Sequence, residues 1–417
     1  MKLTTTALGI VLAIAAVPAA AQLTRSQEND SQKKKKPPEM QQSNPGDVRP
    51  SSGALKAIVE LQNAVKANDT ANIPGKLAAA QAVAKTKEDR YLIGVFQRQA
   101  ALNAKDVPAL ATAVQALEAS TYLDATKLAA LYMDLGIQQF NAKQTPLAIT
   151  SFQRAVTLTP NDYGAIELLA QAKSAAGQSA EAASLFQQTI KARIAAGQKP
   201  TEDVYRRAVQ AAYDSQAPSA IELGREWVSA YPSPDSWRNA ILIYRNVAKP
   251  DVEGTLDLLR LMQTMNALSK SADYNLFATA AADQQNYVEA QAVIDAGIAA
   301  KQVDPGSPLF RDIVVGLKSK PKLTEADLAE AMKMAQTGAA MVRVGDRYFG
   351  MGQYDKAADL YRKALAKGGV DKDVANIHLG MALARSNDKA GATAAFNAVT
   401  GPRAEIARYW LLYLQGA

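Results

Sequence analysis

From Ala54 onward the chain alternates apolar and polar positions at helical spacing. Ala54, Leu55, Ile58, Leu61 and Val65 open the pattern, and that period turns one face of a helix toward a core. Helical stretches of about 12–16 residues then alternate with short breaks to the C-terminus. The breaks carry clear punctuation: Asn68-Asp69-Thr70 with Ile73-Pro74-Gly75, Lys105-Asp106-Val107-Pro108, Gly177-Gln178-Ser179, Asp214-Ser215-Gln216-Ala217-Pro218 and Gly352-Gln353-Tyr354-Asp355. Each predicts a turn between two amphipathic helices. Pro or Asp there starts the second helix without costing an internal hydrogen bond. Lys87-Glu88-Asp89-Arg90 reads as a helix start, and Thr324 followed by Asp327 reads as a cap within a two-helix segment at 306–336. Strings rich in Val, Ile and Thr are rare, so a sheet-based fold is not expected.

The hairpins repeat. Tyr132, Leu135, Gly136, Ala148, Phe152, Ala155 and Pro160 fall at one set of spacings, and a shift of 34 residues gives Ile166, Leu169, Ala170, Ala182 and Phe186. Further copies are Val344, Gly345, Tyr348, Ala357, Tyr361 and Ala364, then Leu379, Gly380, Leu383, Ala392, Phe396 and Val399. Gly136, Gly345 and Gly380 stand where the first helix lets the second approach. Ala148, Ala182, Ala357 and Ala392 are the matching small residues, and Phe152, Phe186, Tyr361 and Phe396 fill the remaining gap. Pro160 and Pro232 end a second helix, because Pro cannot continue one. Weaker copies run through Ala208 and Ala220, through Leu242, Gly254, Leu258 and Leu261, and through Tyr274, Phe277, Ala278, Ala290 and Ile294.

These positions resemble the tetratricopeptide repeat family, a 34-residue helix–turn–helix unit. The resemblance implies an all-α fold, an α-solenoid of stacked antiparallel hairpins, with about ten hairpins over residues 53–417. The expected organisation is a secretory signal at 1–21, a disordered Lys/Pro/Gln linker at 22–52 and divergent hairpins at 53–128. Repeats follow at 129–300, a degenerate hairpin at 301–337, and repeats with a capping helix at 338–417. The apolar stretch Ile406, Tyr409, Trp410, Leu411, Leu412, Tyr413 and Leu414 is read as that cap, with a hydrophobic docking or dimer surface as the alternative.

Lys2, the apolar run Leu8 to Val17 and Pro18-Ala19-Ala20-Ala21 fit a signal peptide cleaved before Gln22. A helix retained in the membrane is the alternative, although the run is short for a span. Residues 22–52 contain almost nothing apolar and cannot offset their ordering entropy. The chain has no Cys, which excludes disulfides, thiolate catalysis and Cys-held metal. An exported, Cys-free chain of this size fits a bacterial periplasm. Net charge is +7, and removing Lys2 leaves +6. Lys33-Lys34-Lys35-Lys36 could touch anionic lipid or acidic polymer, or be a solvated linker.

Catalytic chemistry finds little to use. The single His is His378, with no second His or Cys to complete a metal site. Gly350-Met351-Gly352 lacks the Lys-Ser/Thr ending of a phosphate loop, and Asp371-Lys372-Asp373 lacks calcium-loop spacing. No enzyme activity, cofactor, metal, nucleic acid or small-molecule substrate is expected. Stacked hairpins do offer a groove lined by first helices. The family resemblance places groove positions at Met133, Ile137 and Phe140, at Glu167 and Gln171, at Tyr205 and Tyr213, at Asn239, at Asn275, at Asp346 and Phe349, and at Arg385. That mixed surface suits an extended or helical peptide of a partner protein. The Lys/Asn pair with which some members grip a terminal carboxylate is not matched there. The expected function is a periplasmic scaffold. The alternative is an anionic-surface binder led by Lys33–Lys36.

Overall fold

The computed structural model describes residues 48–320 and 323–416. The expected signal peptide, the Lys33–Lys36 run and the 22–47 part of the linker lie outside the described residues. Among the described residues there are twenty-one helices and no strand. The described residues divide into two compact units, separated between Ser215 and Gln216. The division falls in the 214–218 turn, inside the stretch read from sequence as one run of repeats.

Unit 1 is a row of antiparallel pairs. α1 (Leu55–Lys66) packs on α2 (Ile73–Val83), α3 (Lys87–Ala104) on α4 (Val107–Ala119), and α5 (Ala125–Asn141) on α6 (Thr145–Leu158). α7 (Tyr163–Ala175) packs on α8 (Ser179–Ala195), and α9 (Glu202–Asp214) closes against α8. First helices are also neighbours, since α5 touches α7 and α7 touches α9. Side-chain caps start these helices. Thr86 and Asp89 form a capping box, and Asp106, Asp124 and Asp162 accept from the first-turn N–H groups of α4, α5 and α7. Ile73-Pro74-Gly75, read as part of a break, is instead the first turn of α2, where Pro74 has no needed N–H to lose.

The repeat signature acts as its residue types require. A Cβ added at Gly136 would lie 2.5 Å from the Phe152 ring, so only Gly lets α6 come this close. Ala148, Phe152, Ala182 and Phe186 are all buried. Full burial of one such Phe stabilises the pair by about 1.5–3 kcal/mol. The N-terminal end corrects one boundary. Residues 48–52, read as linker, are held: Val48 joins the first core, and Ser51 donates through N and Oγ to the Asp89 carboxylate at 2.8 Å each. The N–H groups of Lys85 and Thr86 donate there too. Burial acts to raise the Asp89 pKa, but these donors outweigh it and bring it down to about 2.

Unit 2 begins with α10 (Ser219–Ala230) on α11 (Pro234–Ala248). α12 (Val252–Thr264) lies on α13 (Ser271–Asp283), which pairs with α14 (Tyr287–Ala299). After α15 (Arg311–Lys318) and α16 (Glu325–Met334) come α17 (Gly338–Gly350) on α18 (Tyr354–Lys367), α19 (Lys372–Arg385) on α20 (Lys389–Asn397), and α21 (Ala404–Gly416). The close approach recurs: a Cβ at Gly345 would meet Tyr361 at 2.6 Å, and one at Gly380 would meet Phe396 at 2.5 Å. Thr324 and Asp327 form the expected capping box of α16.

Two features depart from a simple stack. α15 rests on α14 and α16 on α17, while α14 reaches α17 directly. The segment read as a degenerate hairpin is therefore an excursion beside the stack, and it leaves Leu309, Val315, Met332 and Met334 exposed. The second feature is α21. It covers α20 as a cap would, and it also packs on α12. Tyr409 and Trp410 are buried. The Tyr409 ring lies 6.3 Å from Trp237 and 5.8 Å from Tyr244, and its hydroxyl donates to the Ile221 carbonyl at 3.3 Å. Arg225 pairs with Glu405 at 2.5 Å, and Arg403 with Asp251 at 2.6 Å and Glu253 at 3.1 Å. These contacts join the end of unit 2 to its beginning.

Candidate functional site

In unit 1, the first-helix face at α5 and α7 is apolar and partly open. Met133, Ile137 and Phe140 stand at helical spacing on α5, all half-buried. Phe140 and Ile137 pack on the core of Phe152 and Leu169, Met133 on that of Leu128 and Leu135. Gln171 is half-buried on α7, and Tyr213 is half-buried on α9. Arg98 of α3 reaches Asp134 of α5 at 2.6 Å, tying two first helices together. Glu167 and Tyr205 are buried and offer little surface. The Glu167 carboxylate is engaged by Arg193 at 3.0 Å, whose guanidinium lies 5.2 Å from the Tyr163 ring centre. Burial pushes the Glu167 pKa up, and Arg193 acts against that shift.

In unit 2 the corresponding positions lead into a buried ionic centre. Arg260 of α12 grips Glu289 of α14 with two bonds of 2.8 Å and reaches Asp257 at 3.2 Å. His378 of α19 lies between two carboxylates, Nδ1 at 2.7 Å from Asp346 and Nε2 at 3.2 Å from Asp257. Tyr361 donates to Asp346 at 2.8 Å. Asn286 donates to Glu289 at 2.8 Å and to the Asp346 carbonyl at 3.0 Å. A bidentate Arg238–Asp273 pair, 2.8 Å at both contacts, joins α11 to α13 nearby in the chain. Burial works against charge on His378, but Asp346 and Asp257 outweigh it and push its pKa up to about 10. His378 is therefore an imidazolium at neutral pH. Burial would raise the Asp346 pKa, yet His378 and Arg260 hold it below the usual carboxylate range.

A cavity of about 30 Å³ opens beside this centre. α12 supplies Glu253, Leu256 and Arg260, the α13–α14 turn supplies Gln284 to Asn286, α17 supplies Arg343, Asp346 and Arg347, and α19 supplies His378. Such a volume holds about two or three water-sized groups, far less than a metabolite. Among the described residues no set of three or more His, Asp or Glu is placed to hold a metal, and no helix is long and apolar enough to cross a membrane.

The groove positions proposed for unit 2 are thus scattered in character. Phe349 is buried, 5.0 Å from the Arg260 guanidinium and 5.1 Å from Tyr354. Arg385 is exposed, donating to Tyr354 at 2.9 Å and to Thr264 at 3.3 Å. Asp346, Phe349 and Arg385 are linked through this network. Asn239 and Asn275 are half-buried on α11 and α13, and Asn275 donates to the Leu309 carbonyl at 2.7 Å. Asp257, Arg260 and Glu289 were not singled out in the sequence. Their signal is an Asp and an Arg inside the apolar run Leu256-Asp257-Leu258-Leu259-Arg260-Leu261-Met262, since buried charges are rare unless paired.

No protein-family model and no curated protein matches the sequence. The chain is similar to several solved structures of tetratricopeptide type. One is a tetratricopeptide repeat protein from Parabacteroides merdae, with 12% identity and a TM-score of 0.33, covering 70% of this chain and 99% of that one. The Naa15/Naa10 structure bound to HypK-THB gives 12%, 0.41, and coverage of 84% and 63%. The yeast Sti1 TPR2AB domain with pHSP90 gives 13%, 0.26, and coverage of 70% and 99%. The hairpin architecture stands on this chain's own helix pairing.

Proposed function

We propose that the protein is an exported, non-enzymatic scaffold of the bacterial envelope, and that the α5–α7–α9 face of unit 1 takes a segment of a partner protein. The observation that carries this reading is the half-open apolar strip Met133, Ile137 and Phe140. Its counterpart on α17 and α19 is consumed inside unit 2, where Phe349, Ile377 and Met381 are buried. A strip at helical spacing flanked by amides suits a helical or extended peptide, with anchors in the strip and adaptable polar contacts around it. Export rests on the Lys2, Leu8–Val17 and Ala19–Ala21 pattern.

The test is a cross-linking pull-down from an envelope fraction with three baits: the mature chain, the chain without residues 22–47, and a Met133→Ala/Phe140→Ala variant. A partner kept by the truncated bait and lost by the α5 variant supports the groove. Anionic material recovered only when residues 22–47 are present overturns it in favour of a surface binder led by Lys33–Lys36. That alternative also predicts loss of binding as salt rises.

A further inference from the structure

We propose that unit 2 binds one small oxyanion group, phosphate or carboxylate, at its polar cavity, gripped by Arg343 and Arg347. Both arginines line the cavity and sit four residues apart on α17. That spacing puts them on one helix face, about 5–6 Å apart at Cβ, so two guanidinium forks can converge on a single group. Neither guanidinium has a hydrogen bond, ion pair or ring contact among the described residues.

The other charges at the cavity are already engaged. Arg260 is held by Glu289 and Asp257, and His378 by Asp346 and Asp257. Asp346 also accepts from Tyr361, and Glu253 is paired with Arg403. Among the charged residues that line the cavity, Arg343 and Arg347 are the two whose side chains pair with no described carboxylate. The size agrees: room for about two or three water-sized groups matches an oxyanion and excludes a nucleotide. Gln284 and Gln285 complete the wall. Charge-assisted, forked contacts are the strong form of this recognition. The site lies wholly within unit 2 and does not depend on the partner face of unit 1.

The experiment is isothermal titration calorimetry on the full chain at fixed ionic strength, with inorganic phosphate, acetate and chloride as the three probes. Saturable heat is expected with an oxyanion and not with chloride, and the tighter of phosphate and acetate identifies the source. Arg343→Gln/Arg347→Gln should weaken that binding by at least about tenfold, the loss of a forked charge-assisted contact. Its tryptophan melting curve should be unchanged. Arg343→Gln alone, at an exposed side chain, serves if the double variant folds poorly, and should still weaken binding measurably. Phe140→Ala should leave the titration as it is. Equal heats with chloride, or oxyanion binding that survives both arginine changes, would overturn the site.

Discussion

Units 1 and 2 use the same hairpin packing and end in different places. Gly136 against Phe152 in unit 1 and Gly345 against Tyr361 in unit 2 make the same close approach, 2.5 and 2.6 Å from the missing Cβ. In unit 1 the first helices keep an apolar strip half open, and polar contacts between them stay near the surface, as with Arg98–Asp134. In unit 2 Asp257, Arg260, Glu289 and His378 are buried together, with half-buried Asp346 against them, and α21 joins the end to the beginning. One packing rule therefore supports either a half-open apolar face or a closed, internally charged body. What differs is where the charges sit and whether a terminal helix returns. Breaking a buried ionic cluster at one member leaves its partners as uncompensated buried charges.

The comparison can be broken most forcefully at its charged centre. Arg260→Leu leaves Glu289 and Asp257 buried without their cation and should cost about 3–5 kcal/mol. All three tryptophans, Trp227, Trp237 and Trp410, lie in unit 2, so tryptophan fluorescence during urea unfolding reads that unit alone. A shift much below this range would mean the cluster is wetter than its burial implies.

Next in size is overpacking at the helix crossings. Ala148→Leu and Ala357→Leu should each cost about 1–3 kcal/mol. Ala357→Leu should move the tryptophan transition and Ala148→Leu should not. Equal movement would show that the two units unfold as one.

A pH series sharpens the contrast further. The His378 pKa is raised in the fold, so its contribution is complete below about 6.5 and is lost as pH rises toward about 10. The Asp346 pKa is lowered, so its contribution is present above the ordinary carboxylate range and is lost as pH falls. The tryptophan transition should weaken on both sides of neutrality. His378→Gln should flatten the alkaline side, and an unchanged alkaline slope would assign it elsewhere. The smallest effect expected is at the excursion beside the stack. Thr324→Ala removes the α16 cap and should cost about 0.5–2 kcal/mol, detected as faster amide exchange in 325–334 with the tryptophan transition nearly in place.

Much of this architecture is legible in the residues themselves. Helical spacing, Gly and Ala at the crossings, and Pro, Asp and Thr at the helix starts are local requirements, and each position shows its requirement in its own side chain. Thr324 with Asp327 and Gly380 with Phe396 are such cases. The end of the linker was less legible, because Ser51 is held by Asp89, a partner 38 residues away, and Val48 by the first hydrophobic core.

The sequence by itself determined that the chain is helical, that its hairpins recur, and which small and aromatic residues make them pack. Those outcomes follow from backbone propensity, capping and side-chain size within one pair of helices. Only the tertiary structure decided that the apolar strip of α5 stays half open, that α21 returns to α12, and that His378 lies between Asp257 and Asp346. These depend on groups separated by 121 residues in the case of Asp257 and His378 and 150 in that of Glu253 and Arg403. Periodicity fixes which way a side chain faces along its own helix. It does not fix which distant charge it will meet.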